Sequence, residues 1–357
     1  MHQRIVKIRR FMDSSYKIIS STIGSKSPIV FSMGELDRKK RAARINEIFL
    51  DVKALEVIAA SKAWRWSFIT LTASPEYHSN PAEGKDSYDS ELTANSANQS
   101  IAKDWKDIRG YLKERLIKPG ESYFGVRVTE VHEDGCPHWH ILMFHEPDVF
   151  ECLYEAVARA YEGRSGAYFE KNKDQIIRVG KEDGDGVAAP SSYIFSYLAF
   201  ALKYEASEEA NYSTPNRYRC ALKAMRARQY QFFGVKGGKG KLRALAQVRG
   251  KPNVPCNIKK MAETMFVDAL LEGGGAESES LRRKKQLDAR VRFYQGEADL
   301  LSFETEEYTN FYGEGVKRIL AIKHTSDSEA VQIGGLCEDI SKSEVEVLLA
   351  SGLHTNA

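Results

Sequence analysis

Long apolar runs are missing from this sequence: nowhere do eighteen apolar residues follow one another, so it offers no candidate membrane-spanning helix. The basic opening, MHQRIVKIRRFMDSSYKIISS, lacks the apolar block and small-residue cleavage site of a secretory signal, and a cytoplasmic protein is expected. Cysteine is scarce and scattered. Cys136, Cys152, Cys220, Cys256 and Cys337 are odd in number and form no Cys-x-x-Cys pair, which argues against a disulfide framework or a zinc ribbon and for reduced thiols. No repeat of fixed period is present, which excludes a solenoid or a propeller. Acid is absent from residues 210–262, where thirteen Lys or Arg occur, whereas from Glu263 onward eighteen acids face ten bases. The net charge of +3 therefore hides a basic block beside an acidic tail, and the partner such a block suits is a polyanion. A merely solvated helix face usually interleaves acids at i,i+4 spacing, and here none are available.

With 357 residues the chain can form one large domain or two ordinary ones. Charge and aliphatic residues alternate at helical spacing over 34–62, and WSFITLT (66–72) reads as a buried strand. Residues 74–100 read as a long polar loop, with helix returning over about 101–117. SYFGVRVTEVH (122–132) and PHWHILMF (137–144) alternate with period two around EDG, which predicts a β-hairpin. Helix is expected at 151–163, a short strand at 176–180, a flexible loop at 180–186, and helices at about 190–209 and 215–230. EGGGAESES (272–280) is the best linker candidate. The division this suggests is an N-terminal helical segment (1–62), a main domain (63–262) that ends in the basic block, and an acidic C-terminal region (281–357) without an assigned role.

Of the eight histidines, His132, His138, His140 and His145 fall within fourteen consecutive residues, with Asp134 among them and Glu130 just before. Residues two apart on a strand share a face, so Glu130 pairs in orientation with His132, and His138 with His140. A hairpin turning about Gly135 would set His132 opposite His138 and Glu130 opposite His140, at about 4.5–5.5 Å between Cβ atoms. Two imidazoles and a carboxylate form a pocket suited to Mn²⁺, Mg²⁺, Fe²⁺ or Zn²⁺ with positions left for substrate. The plainer alternative is a pair of exposed strand histidines with ordinary hydrogen bonds. The opposite face, Trp139, Ile141 and Met143, is apolar and expected to pack on helices. SSYIFSYLAFALKYE (191–205) puts Tyr193 and Tyr197 one turn apart on one helix face, with Tyr204 below them. They either complete an apolar stripe with Phe200 or serve as nucleophiles. A phenol is a weak nucleophile, and a divalent ion that polarises a phosphate offsets that weakness.

TEVHEDGCPHWHILMF, with its His-hydrophobe-His core, resembles the corresponding block of the phage replication gene A protein family, HUH endonucleases of the two-tyrosine type that initiate rolling-circle replication. FITLTASPEYHS (68–79), YIFSY and RARQYQFFGV (226–235) resemble further motifs of that family in the same order, and the resemblance covers about residues 60–250. It implies an α+β HUH fold, a central antiparallel sheet flanked by helices, here with a mostly helical C-terminal extension. It implies that His138, His140 and Glu130 bind Mg²⁺ or Mn²⁺, with His132 as a ligand or a neighbour of the ligands, and His78 as a loop residue. Tyr193 and Tyr197 become the paired nucleophiles. Family members carry a lysine just before the second tyrosine where this chain has Ser196, which leaves Lys203 as the nearest base for the phosphate. Arg217, Arg219, Arg226, Arg228, Lys236, Lys239, Lys241 and Arg243 are the expected DNA contacts. The implied partners are origin DNA, single-stranded or supercoiled, and a host replicative helicase and polymerase in a bacterial cytoplasm. Two other readings stay open: a non-catalytic DNA-binding replication regulator, and a non-haem iron oxygenase, for which only His324 and His354 could supply the distant third histidine.

Overall fold

The computed structural model describes residues 16–19, 29–79, 87–132, 134–180, 189–197, 214–235, 238–248, 253–266, 276–309, 315–327 and 330–332. The chain divides into two compact units, Met1–Lys236 and Gly237–Ala357. The division falls inside the basic block.

The first unit is built on a five-stranded antiparallel sheet. Its strands are β3 (Arg65–Thr72), β4 (Tyr123–Val131), β5 (Pro137–His145), β6 (Ile177–Val179) and β7 (Tyr230–Phe233), in the order β6-β3-β5-β4-β7. The histidine-bearing β5 is thus the central strand. An antiparallel pair, β1 (Tyr16–Ile19) with β2 (Ile29–Ser32), precedes helix α1 (Met33–Ser61), so the described residues of the expected N-terminal helical segment are two short strands followed by one long helix.

Parity decides which residues go where. On one face Ile69, Leu71, Trp139, Ile141 and Met143 bury themselves under α2 (Ala94–Glu114) and α3 (Val149–Ile176), as the apolar alternation predicts. Helix α2 offers Ala97, Ile101, Trp105, Ile108 and Leu112 as its buried stripe, at spacings of three and four. Each such large side chain contributes about 1.5–3 kcal/mol by leaving water. Thr93 caps the helix by accepting from Ser96 N at 3.1 Å while Thr93 N donates to Ser96 Oγ at 2.9 Å. That capping box is why the helix starts at 94, inside the stretch that its polar composition marks as loop. Trp139 donates from Nε1 to Asn98 Oδ1 at 3.1 Å, and the Arg127 guanidinium lies 3.6 Å from the centre of its ring. On the other face Phe68, Thr70, Thr72, Glu130, His138 and His140 share one side by strand parity, and α1 and residues 190–197 (α4) lie against that part of the unit.

The hairpin register differs from expectation. Glu130 pairs with His138 and Val131 with Pro137, so the turn is centred on Asp134 rather than Gly135. His132 N donates to Cys136 O and Gly135 N to His132 O, both at 2.9 Å, and Asp134 Oδ1 accepts from Cys136 N. Gly135 takes φ of 91°, the left-handed conformation that glycine adopts without steric cost. A partner shift of two residues preserves parity, and the face therefore survives the correction.

Two further expectations change. The helix expected over 215–230 stops early: α5 covers Thr214–Ala224, Arg226 turns the chain at φ of 51°, and Tyr230–Phe233 adds to the sheet edge against Gly125–Val128. Helix α3 runs on to Ile176, beyond the expected end at 163.

Among its described residues the second unit is more helix than strand, and it adds a sheet that the expected mostly helical extension did not include. It holds α6 (Gly238–Val248), α7 (Cys256–Met265) and α8 (Ala276–Gln295), then a three-stranded antiparallel sheet of β8 (Leu301–Thr309), β9 (Gly315–His324) and β10 (Val331–Gln332). Leu245, Ile258, Ala262, Phe293 and Ile322 are buried in it. Arg290, 1 % exposed, donates to Met265 O at 2.9 Å. No helix among the described residues is long and apolar enough to cross a membrane.

Candidate active site

β5 presents His138 and His140 on one face, between β4 and β3. His140 is 5 % exposed. Its Nε2 lies 2.6 Å from Glu130 Oε2, and its Nδ1 lies 3.3 Å from Thr70 Oγ1. Glu130 reaches His140 diagonally, since its directly opposed partner is His138. His138 Nε2 lies 2.6 Å from Thr72 Oγ1. The His132 ring, just past the end of β4, packs on His138 with centroids 3.6 Å apart. Burial, with His132, His140 and His78 around it, pushes His138 well below the ordinary imidazole range, so its ring is neutral at pH 7. Burial lowers His132 too, against the opposing pull of Glu130 and Asp134.

The sheet face thus brings Glu130, His132, His138 and His140 together, with Thr70 and Thr72 as hydroxyl neighbours that the sequence reading missed. Their signal was present: Phe68, Thr70 and Thr72 alternate in FITLT, and period two puts them on the histidine side.

Both tyrosines stand over this cluster. The α4 helix that carries them is fixed by three contacts: Ser191 N donates to Glu56 Oε2 at 3.0 Å, Ile194 is fully buried, and Phe195 packs edge-on to Phe49 at 4.9 Å. The Tyr197 ring stacks on His140 with centroids 3.8 Å apart and an interplanar angle of 29°. Tyr193 lies 5.8 Å from Tyr197, and Phe68 forms the floor beneath both, at 4.6 Å and 5.7 Å. Burial raises the Tyr197 phenol above its ordinary range, and the adjoining Tyr193 hydroxyl and Glu130 carboxylate push the same way, against Arg178. Arg178 on β6 donates from Nη1 to the Tyr193 hydroxyl at 3.2 Å.

A second cluster adjoins the first. His78 Nδ1 lies 2.7 Å from Asp134 Oδ2, and Cys136 donates from Sγ to Tyr77 O at 3.0 Å. Among the described residues this is the one trio of His, Cys, Asp or Glu ligand atoms within 4.8 Å of one another, a closeness that Glu130, His138 and His140 do not reach as a set. Every member already has a protein partner. Burial, with Asp134 beside it, holds the Cys136 thiol protonated, its pKa pushed up to about 12. The trio clamps the hairpin turn to the segment after β3, so His78 is more than a loop residue.

The expected DNA contacts are dispersed. Arg226 is exposed and Arg228 half-buried in the first unit, where Arg228 O accepts from Thr129 Oγ1 at 2.8 Å. Lys241 and Arg243 belong to α6 of the second unit, with Lys241 5.0 Å from the centre of the Phe303 ring. The side chains of Arg217, Arg219 and Lys239, and residues Lys236, Lys203 and Tyr204, lie outside what is described. So does His354, whereas His324 is on β9 of the second unit.

An antiparallel sheet flanked by helices is compatible with the α+β class that the gene A resemblance implies. Residues 31–234 match the model of the bacteriophage replication gene A protein (GPA) family, and the chain belongs to that family. The match ends beside the boundary of the first unit, at Lys236. The replication protein of Haemophilus phage HP1 (strain HP1c1) is 29% identical over 216 residues, 57% of this chain and 26% of that protein. The replication gene A protein of Escherichia phage 186 is 27% identical over 205 residues, 54% of this chain and 29% of its own length. A probable replication endonuclease from a prophage-like region of Salmonella paratyphi A (strain ATCC 9150 / SARB42) is 28% identical over 211 residues, covering 55% and 25%. The matched part of the chain thus spans 25% to 29% of the length of these relatives. No solved structure gives a significant match.

Proposed function

We propose that the chain is a metal-dependent endonuclease and strand transferase of the HUH type that starts rolling-circle replication by nicking one DNA strand at an origin. One tyrosine attacks the scissile phosphate and keeps the 5′ phosphate as a phosphotyrosyl ester, and the freed 3′-OH primes synthesis. The second tyrosine then acts on the regenerated junction while the first is esterified. The observation that carries this reading is the stack of Tyr197 on His140 at 3.8 Å, with Tyr193 5.8 Å further on. It sets two phenols over one His/Glu cluster, an arrangement that a structural tyrosine stripe does not require.

The donor chemistry fits a divalent ion such as Mg²⁺ or Mn²⁺. His138 is held neutral by burial, the form that ligates, and Glu130 Oε2 already meets His140 Nε2. Glu130, His138 and His140 would hold the ion, with His132 beside them. When bound, it would polarise the phosphate oxygens and draw off charge. The protein's own residues do the rest: Phe68 and His140 fix the Tyr197 ring, α4 fixes the spacing of the phenols, and Thr70 and Thr72 orient the imidazoles. A strand must be unpaired to enter such a site, so single-stranded or supercoiled origin DNA is the substrate, and the exposed Arg226 of the same unit offers its charge to the phosphates. A host helicase and polymerase would extend the freed 3′-OH in the bacterial cytoplasm.

The test is direct. The protein is incubated with Mn²⁺ and 3′-labelled single-stranded oligonucleotides tiled across the replicon that encodes it. A labelled adduct should survive denaturing electrophoresis and map by mass spectrometry to Tyr193 or Tyr197. Cleavage without an adduct, or an adduct on any other residue, would overturn the proposal.

A further inference from the structure

We infer that Arg178 is a catalytic residue dedicated to Tyr193, so that the two phenols are served by different parts of the fold and are not interchangeable. The inference rests on the phosphotyrosyl reading above.

The placement of Arg178 follows from strand pairing. β6 lies at the edge of the sheet against β3, with Arg178 directly opposite Phe68. Opposed residues on neighbouring antiparallel strands project to the same face, so Arg178 stands on the histidine side, next to the ring that floors both tyrosines. Its neighbour Ile177 goes the other way and is buried in the core beneath the sheet. Two contacts then aim the guanidinium. Nε donates to Asp174 O at 2.9 Å, at the end of α3, and Nη1 donates to the Tyr193 hydroxyl at 3.2 Å. An exposed arginine gains little by holding a neutral phenol. Its planar fork instead suits an oxygen that becomes anionic while a phosphate with further anionic oxygens approaches.

Tyr197 sits differently. Its ring stacks on His140, and its surroundings are the histidine cluster, Glu130 and Tyr193. The cation therefore contacts the outer phenol directly and the inner phenol only at a distance.

The step balances without an added reactant. Tyr193 Oη forms a bond to phosphorus as its proton passes to solvent. The P–O3′ bond breaks, and the leaving oxygen keeps the electron pair and takes a proton from solvent. Arg178 holds the attacking oxygen and one phosphate oxygen, and its charge does not change.

The test uses two single-nucleophile proteins, Tyr197→Phe, in which Tyr193 alone can react, and Tyr193→Phe, in which Tyr197 alone can react. Each is combined with Arg178→Gln and with Arg178→Lys, and adduct formation on 3′-labelled oligonucleotide with Mn²⁺ is timed. In the Tyr193-only protein Arg178→Gln should slow the adduct by about tenfold to a hundredfold, the span for losing one charged hydrogen bond. Arg178→Lys should recover part of that loss. In the Tyr197-only protein the loss should be at least about threefold smaller, because no direct contact is removed. Equal losses in the two backgrounds would mean that Arg178 merely holds β6 in place, and an unchanged rate in the Tyr193-only protein would remove its role; either result overturns the inference. The unmodified protein decides the underlying reading separately, since absence of its adduct would sink both together.

Discussion

Replacing His140 by Ala separates the metal's contribution from that of the fold. In the wild-type protein an ion present at a hundred times its Kd should stabilise the folded state by about 2.7 kcal/mol. For a unit of this size about 2–4 °C of Tm follows each kcal/mol, so saturating Mn²⁺ should raise Tm by about 5–10 °C over the EDTA-treated protein. His140→Ala removes one of three protein donors. If affinity falls a hundredfold, the same Mn²⁺ concentration only equals Kd, the gain drops to about 0.4 kcal/mol, and the shift is about 1 °C. The substitution also costs stability without metal, about 1–3 kcal/mol, because Glu130 loses the ring nitrogen 2.6 Å away and the Tyr197 ring loses its stacking partner. His145→Ala is the control. His145 lies on the same strand, fully buried, with Nε2 2.8 Å from Ser67 Oγ and Nδ1 donating to Glu146 O at 2.7 Å. Its loss should destabilise the protein comparably and leave the Mn²⁺ shift intact. Scanning fluorimetry with Mn²⁺ and with EDTA measures all of this, and the adduct assay runs in parallel. A full Mn²⁺ shift or undiminished nicking in His140→Ala would refute the ligand assignment, whatever the stability change.

Other outcomes follow from the same geometry. Burial lowers the pKa values of His132, His138 and His145 in the metal-free fold. The unfolded chain takes up these protons near pH 6.5 and the folded chain does not. Stability is therefore fully present above that pH and lost as pH falls below it, by at most about 1.4 kcal/mol per pH unit for each histidine; a Tm of EDTA-treated protein that stays flat from pH 7.5 to 5 would contradict the burial argument. Tyr193→Phe and Tyr197→Phe should each keep some adduct formation and the double variant none, and a residual adduct in the double variant would place the nucleophile elsewhere. Neutralising Arg226, Arg228 and Arg243 should weaken binding to all single strands alike and flatten the salt dependence by about 0.7 per lost phosphate contact. A changed cleavage sequence with an unchanged salt slope would show that they read bases instead.

The facing of the candidate site was legible in the sequence, because short-range periodicity carries it. Alternation in FITLT and PHWHILMF fixed which residues face Trp139 and which face His140, and i,i+4 spacing put Tyr193 and Tyr197 on one side of a helix. These are properties of one strand or one turn, and parity held even where the register of the hairpin did not. The family followed from the same motifs. Pairing between distant segments was not legible. Asp134 takes a hydrogen bond from Cys136 N and so centres the turn one residue earlier than Gly135 implies, which turns Glu130 to its diagonal contact with His140. Arg178 sits in a three-residue strand with no pattern of its own, and only its pairing with Phe68 brings it to Tyr193. His78 meets Asp134 across 56 positions of chain. Tyr230–Phe233, at the end of the expected helix over 215–230, is a strand because β4 offers it an open edge. Local spacing fixes which way a side chain points, whereas the identity of its neighbour depends on hydrogen bonding between strands that the chain brings together only on folding.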